Sequence, residues 1–284
     1  MHQAQLQSSD SDTDDGHMHS AGYGGWYTIA RYQFFSLGSQ CAFMIILTND
    51  DGIGADGILA LERSIHQVQT DQPNLVPDEI AIVAPAAQQS GCGHQVTTHQ
   101  PLKISQPTQQ SWAIEGTPAD CTRVALWHLY PKTRWVLSGI NAGGNMGSDV
   151  YISGTVAAVR EAALHRIPAI AFSHYREGKR AYDWERASDW TTKILMDLMS
   201  RPYEPGTYWN VNLPHLLPDE PDPAIVFCAP CTQPLPVVFQ ASTTEQSSVN
   251  ELIYCAKYRD RKRDSGSDVE TCLSGNIAIT QLWV

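Results

Sequence analysis

Met44-Ile-Ile-Leu-Thr-Asn-Asp-Asp-Gly-Ile53 decides the fold. Its first four residues are apolar without a break, the pattern of a short strand buried on both faces inside a parallel sheet. Thr48 and Asn49 end the run. Two adjacent carboxylates follow, Asp50 and Asp51, and then Gly52. Gly52 and Gly54 give the backbone freedom to turn into a helix beginning near Asp56. Two anions side by side at a strand end repel each other, and burial raises the cost of each. Two readings of the pair stand open at this point. One is a solvated Asp-Asp-Gly turn. The other is a site for a hard divalent cation, whose preferred ligands are carboxylate oxygens.

Outward from this strand the chain alternates. A helix is predicted at about 56–69, with Ile58, Leu59, Leu61, Ile65 and Val68 at helical spacing. Glu79 to Ala84 reads as a second buried strand stopped by Pro85, with a loop at 85–98, and Trp112 to Ile114 as a short one. Thr117-Pro118 is a helix opening, Thr as N-cap and Pro at the first position, for a helix running to about His128. Trp135 to Leu137 is predicted as a strand, followed by a glycine-rich loop from Ser138 to Ser153. Then come a helix (Gly154 to His165), a strand (Ala169 to Phe172), a helix (Ala187 to Met199) and a strand (Trp209 to Val211). Such alternation specifies an α/β fold, a mainly parallel sheet covered by helices on both sides. Beyond Pro214 the pattern changes. Residues 214–236 are proline-rich. Leu235 to Phe239 and Glu251 to Tyr258 read as a β-hairpin extension, and Ile277 to Leu282 as a terminal strand.

Composition narrows the function classes. The 284 residues carry a net charge of −11, which argues against a nucleic-acid polymer as partner. Seven cysteines, spread along the chain, point to reduced thiols and a cytoplasmic protein rather than a disulfide framework. Cys228-Ala-Pro-Cys231 has no second pair to complete a zinc site and reads as structural thiols. No stretch approaches the ~20 apolar residues of a membrane span, so no membrane is expected. Residues 1–20 are polar and rich in Ser, Asp and Thr, and are expected to be disordered. Met44 is a candidate for the natural start of the chain, since the recognisable domain begins there.

In an open parallel sheet, ligands bind outside the carboxyl ends of the strands. Four groups of polar residues fall there: Asp50 and Asp51, then Ser90, then Asn141 and Asn145, then Ser153-Gly154-Thr155. Each has a bland reading as a turn residue or a helix cap. Together they divide into two chemistries. Asp50, Asp51, Ser90 and Asn141 offer four oxygen donors suited to Mg²⁺ or Mn²⁺. Ser153, Gly154 and Thr155 open a helix whose free N–H groups make an anion site that phosphate fits, with the Asn145 amide as a further donor. A metal beside a phosphate cradle implies hydrolysis or transfer of a phosphoryl group. Neither Gly-x-Ser-x-Gly nor a phosphate-binding Gly-x-x-x-x-Gly-Lys-Ser/Thr loop is present. His94 and His99 read as plain polar residues, with His94 able to border the site.

The same stretches resemble a known family. Leu47-Thr-Asn-Asp-Asp-Gly52, Ala84-Pro85 with Gln89-Ser-Gly91, Gly116-Thr-Pro-Ala-Asp-Cys121, Ser138-Gly-Ile-Asn-Ala-Gly143 and Ser153-Gly-Thr-Val-Ala-Ala158 are similar to the SurE family (survival protein E). These are metal-dependent 5′/3′-nucleotidases that also act as acid phosphatases. The resemblance implies a Rossmann-like three-layer sandwich. It implies one divalent metal ion per subunit on Asp50, Asp51, Ser90 and Asn141, and phosphate contacts from Asn145, Ser153, Gly154 and Thr155. It also implies nucleoside monophosphates as substrates and a homodimer or homotetramer. The expected organisation is an N-terminal extension (1–43), a catalytic domain (44–214) and a C-terminal extension with the β arm (215–284). Residues 1–43 match nothing in the family pattern, and the resemblance implies that a further helical tail usually follows the position that is Val284 here. The expected reaction is attack by a metal-activated water on the phosphorus of a nucleoside 5′-monophosphate, with Asp50 or Asp51 taking the proton. Its rivals are a nucleotide-binding module without turnover and a metal-dependent regulatory module.

Overall fold

Strand β1 (Met44–Thr48) is buried at every residue, as its unbroken apolar run requires. Ile45 and Leu47 point into one hydrophobic core, Met44 and Ile46 into another on the opposite face. The computed structural model describes residues 43–241 and 251–284. The expected disordered extension therefore lies outside the described residues, except for Phe43.

The elements run in chain order. Helix α1 (Asp56–Asp71) leads to β2 (Glu79–Pro85), β3 (Ile104–Thr108) and β4 (Ser111–Ile114). Helix α2 (Pro118–Val124) continues as a π-helical turn, Ala125–Leu129, into β5 (Thr133–Asn141). Then come α3 (Gly154–Leu164), β6 (Ala169–His174), α4 (Trp184–Ser200), β7 (Thr207–Leu213) and β8 (Ile225–Phe227). The chain finishes with β9 (Phe239–Ala241), β10 (Leu252–Tyr254), α5 (Asp268–Leu273) and β11 (Ile277–Trp283).

Nine strands form one sheet in the order β3-β4-β2-β1-β5-β6-β7-β11-β8. The block from β4 to β7 is parallel throughout; β3 at one edge and β11 against β7 are antiparallel. Helices α1 and α4 cover one face through Ile58, Leu61, Ile65, Trp190 and Ile194. Helices α2 and α3 cover the other through Cys121, Val156 and Val159. The three-layer α/β sandwich and its antiparallel hairpin, β9 with β10, are both present. From β1 the chain first builds outward through β2 and β4, then returns to the other side of β1 as β5. That reversal opens a crevice at the carboxyl ends of β1 and β5.

Three local expectations need correction. The strand predicted at 135–137 runs on to Asn141, so Ser138 to Asn141 are strand rather than loop. Gly139 makes this continuation fit: its φ is +136°, and a Cβ there would lie 2.3 Å from Phe172 O on the next strand. Strands β3 and β8 were not anticipated, because their exposed side chains carry no pattern of burial. The first hairpin strand is shorter and later than predicted, Phe239–Ala241, and the second, Leu252–Tyr254, is a short stretch within the predicted span.

Candidate active site

The loop after β1 is tied at both ends. Asn49 accepts from Gly52 N at 3.2 Å and donates Nδ2 to Gly52 O at 2.8 Å, closing a turn that needs glycine at Gly52, where φ is +102°. Gln89 N donates to Asp50 O at 2.7 Å and Ile53 N to Pro85 O at 2.9 Å, so the loops after β1 and β2 are locked together.

Asp50 is buried, with 5% of its surface exposed, and its Oδ1 accepts the Thr155 hydroxyl at 2.5 Å. Burial pushes the Asp50 carboxyl up to about 6; the Thr155 hydroxyl opposes this, and the neighbouring Asp51 charge adds to it. Asp51 is more open. Its Oδ2 accepts from Ala142 N at 2.9 Å, beyond β5, and its Oδ1 from Gln88 Nε2 at 3.3 Å. Gln88 Nε2 also donates to Ser90 Oγ at 2.9 Å. Asn141 donates its Nδ2 to Gly143 O at 2.9 Å, which leaves its oxygen as the end suited to a cation. The structure thus gathers the acidic pair, Ser90 and the end of β5 around one crevice.

Among the described residues, no three His, Cys, Asp or Glu side chains cluster as a metal site. The set here is different: two carboxylates, a hydroxyl and an amide oxygen, all hard donors that suit Mg²⁺ or Mn²⁺ with water completing the shell. Buried Asp50, beside a second carboxylate, has no compensating positive charge among the described residues, and a dication supplies one. The residues fit the ion.

Helix α3 begins at the same crevice. Ser153 is its N-cap and accepts from Val156 N at 3.1 Å, so its hydroxyl is committed to the helix. Gly154 follows, packed so tightly that a Cβ would lie 2.8 Å from Asp50 Cβ and 3.0 Å from Cys92 Sγ. Thr155 directs its hydroxyl to Asp50, with its backbone N–H facing the same carboxylate, and the N–H of Gly154 lies in the first turn, which has no partner within the helix. Asn145 sits one layer deeper: Nδ2 donates to Ser173 Oγ at 2.8 Å, and its backbone is held by Asn210 and Asn212.

Several supporting residues escaped sequence reasoning. Asn210 and Asn212 alternate in β7, and two asparagines two apart in a buried strand are a signal of one polar face. Gln88, Cys92 and Ser173 gave no signal, since their role exists only once the loops converge. His94 donates to buried Glu161 at 2.7 Å, the polar role expected of it. Cys228 and Cys231 are free thiols. No helix among the described residues is long and apolar enough to cross a membrane.

Comparison with known proteins adds the following. The family model described as survival protein SurE matches residues 45–233. A protein of Nostoc sp. strain PCC 7120, provisionally named a 5′-nucleotidase, is 51% identical over 240 residues, covering 84% of this chain and 99% of its own. The 5′-nucleotidase SurE of Allorhizobium ampelinum is 35% identical over 245 residues, covering 84% and 90%. Among solved structures, the SurE protein of Aquifex aeolicus superposes with a TM-score of 0.71 at 27% identity, over 84% of this chain and 93% of that one.

Proposed function

The chain belongs to the SurE family, and on that premise we propose that it is a 5′-nucleotidase. It hydrolyses nucleoside 5′-monophosphates, with 3′-monophosphates as a second class, to nucleoside and phosphate. One observation carries this reading: the hydrogen bond from Thr155 to Asp50, which places the acidic pair against the opening turn of α3. Cation ligands and anion donors in contact are what a phosphomonoester requires.

Asp50, Asp51, Ser90 and Asn141 would hold one divalent cation per subunit, Mg²⁺ or Mn²⁺. When bound, such an ion neutralises charge on the phosphoryl group and lowers the pKa of a coordinated water. The chain's own residues do the rest. The Thr155 hydroxyl orients Asp50, while Ala142 N–H and Gln88 orient Asp51. The N–H groups of Gly154 and Thr155 receive phosphate oxygens on the axis of α3, with Ser153 fixing the helix start. The second amide hydrogen of Asn145 completes the cradle. One member of the acidic pair accepts the proton of the attacking water.

We further place the protein in the cytoplasm as a homodimer or homotetramer. Free thiols at every described cysteine support the first. The β9–β10 hairpin supports the second, because it exposes Phe239, Leu252, Ile253 and Tyr254 together.

Phosphate release from a panel of nucleoside 5′- and 3′-monophosphates, with Mg²⁺, Mn²⁺ or EDTA, tests the reading. Release should require the metal and fall about 10²–10⁴-fold in Asp51→Asn. Metal-independent release, or undiminished release by the variant, overturns it.

A further inference from the structure

Two strands along the sheet from the acidic pair, past β5, lies a pocket that the reaction above does not use. Strand β6 ends in Ser173 and His174. Ser173 pairs with Asn141 of β5 and accepts from Asn145, so it borders the metal and phosphate residues. His174 is only 2% exposed and lines a cavity of about 210 Å³ next to the start of α4, with Trp190, His215 and Leu217. Tyr182 lies against this wall, its ring 5.6 Å from His215 and 4.7 Å from Trp184, with His174 meeting it edge-on at 4.9 Å.

The ring cluster reaches back to the crevice. Trp184 Cη2 lies 3.3 Å from the point where a Gly57 Cβ would stand, and Ile140 O crowds the same point. Ile140 precedes Asn141. Burial pushes the Tyr182 phenol up to about 12; Arg176 opposes this, and the Asp51 carboxylate is near enough to add to it.

The pocket is poorly suited to a second anion, because its cations are engaged. Arg180 donates to Glu177 and to His215 O, and Arg186 to Leu217 O and Glu220 O. Asp183, at the exposed edge, accepts from Arg186 N through Oδ1, and its carboxylate adds to the case against an anion. The buried polar atoms left unpaired here are neutral. His174 Nδ1 and the Tyr182 hydroxyl are buried without a hydrogen-bond partner among the described residues. Burial, with His215 adding, pushes His174 down to about 3, so at neutral pH its ring offers one donor and one acceptor. An aromatic wall of His174, Trp190 and His215 that carries an unsatisfied neutral polar atom, with Tyr182 behind it, matches a planar, uncharged heterocycle.

We propose that this pocket is the subsite for the base of the nucleotide. The heterocycle lies along the His215 ring, which Tyr182 backs, and hydrogen-bonds with His174, while the phosphate lies at Asp50, Asp51 and the start of α3. This rests on the nucleotidase reading and adds how the substrate's other end is recognised.

Leu217 is half exposed at the pocket rim, so Leu217→Trp fills the cavity without touching the core. With Mn²⁺ present, kcat/KM for nucleoside 5′-monophosphates should fall at least tenfold through KM, while ribose 5-phosphate, which lacks a base, is hydrolysed as before. His174→Gln should shift the same ratio in the same direction. An equal fall for both substrates, or no fall, overturns the subsite. If the protein releases phosphate from no monoester, the nucleotidase reading fails and calorimetric titration with nucleosides alone decides the pocket. Binding lost in Leu217→Trp then supports it, and no binding at millimolar nucleoside overturns it.

Discussion

A methyl group at Gly154 would stand 2.8 Å from Asp50 Cβ, 3.0 Å from Cys92 Sγ and 3.1 Å from Asp50 Oδ2. Neither backbone nor helix forbids alanine at this position; the obstacle is the carboxylate itself. Gly154→Ala is therefore expected to push Asp50 out of place. Overpacking should cost about 1–3 kcal/mol of stability, and displacement of a positioned group about 10²-fold in kcat/KM. Gly54→Ala is the matched control, because a Cβ there meets nothing within 4 Å. Thermal melts and phosphate release on both variants check the pair of outcomes, and equal activity in the two would remove Gly154 from the site. The same residues show what one dimension can reveal. Asp50 and Asp51 were legible because two adjacent acids closing a buried strand need a partner. Gln88, in a run of glutamines before Ser90, was not, since its bridge from Asp51 to Ser90 spans two loops that meet only in the folded chain.

At the scale of elements, helix α3 does more than begin at the site. Its Glu161, with a side chain 1% exposed, accepts from His94 at 2.7 Å, Arg123 at 2.6 Å and His165 at 3.0 Å. These contacts tie the Ser90 loop and α2 to the helix that carries Thr155. Burial alone would raise this carboxyl, but the hydrogen bonds from His94, Arg123 and His165 outweigh it and hold Glu161 down at about 2, against an ordinary 4.5. A depressed carboxyl stabilises the fold above the unfolded value and loses that contribution as pH falls from 4.5 towards 2. Glu161→Gln should thus cost about 2–3 kcal/mol at pH 7, some 5–10 °C in Tm. The gap to the parent should shrink below pH 4.5. Paired melts from pH 7 to 3 check it; a gap independent of pH would rule out the ionised carboxylate as the tie. The elements most legible from sequence were those with uninterrupted apolar runs or helical spacing, such as β1, β2 and α1. Strand β5 was cut short because Ser138-Gly139 reads as a loop, although Ser138 is fully buried. Strand β3 gave no signal because all five of its residues face solvent.

Across the whole molecule, the chain beyond Pro214 comes back to the sheet and to the site. Strand β11 inserts between β7 and β8, and the residues before it clasp the loop between β5 and α3. Asp268 Oδ2 accepts from Gly147 N at 2.8 Å and its Oδ1 from Cys231 N at 2.7 Å. Arg261, its side chain fully buried, donates to Asp149 at 2.7 Å and to Met146 O at 3.2 Å, and Tyr258 donates to the same Asp149 carboxylate. No sequence pattern announced this, because Arg261 lies in the charged run from Lys257 to Asp264, which reads as solvated surface. Asn145 and Ser153 flank the clasped loop, so the late segment bears on how the phosphate cradle is held. Arg261→Met leaves Asp149 buried without its counter-charge and should cost about 3–5 kcal/mol. Adding Asp149→Asn removes the stranded charge, so the double variant should be more stable than the single one, although it lacks one more native group. Urea midpoints of the three proteins measure this, and hydrogen exchange at residues 146–152 should speed up in the single variant before it does elsewhere. If the double variant is the less stable of the two, the ion pair is not what secures the loop, and the hold falls to the Asp268 hydrogen bonds alone.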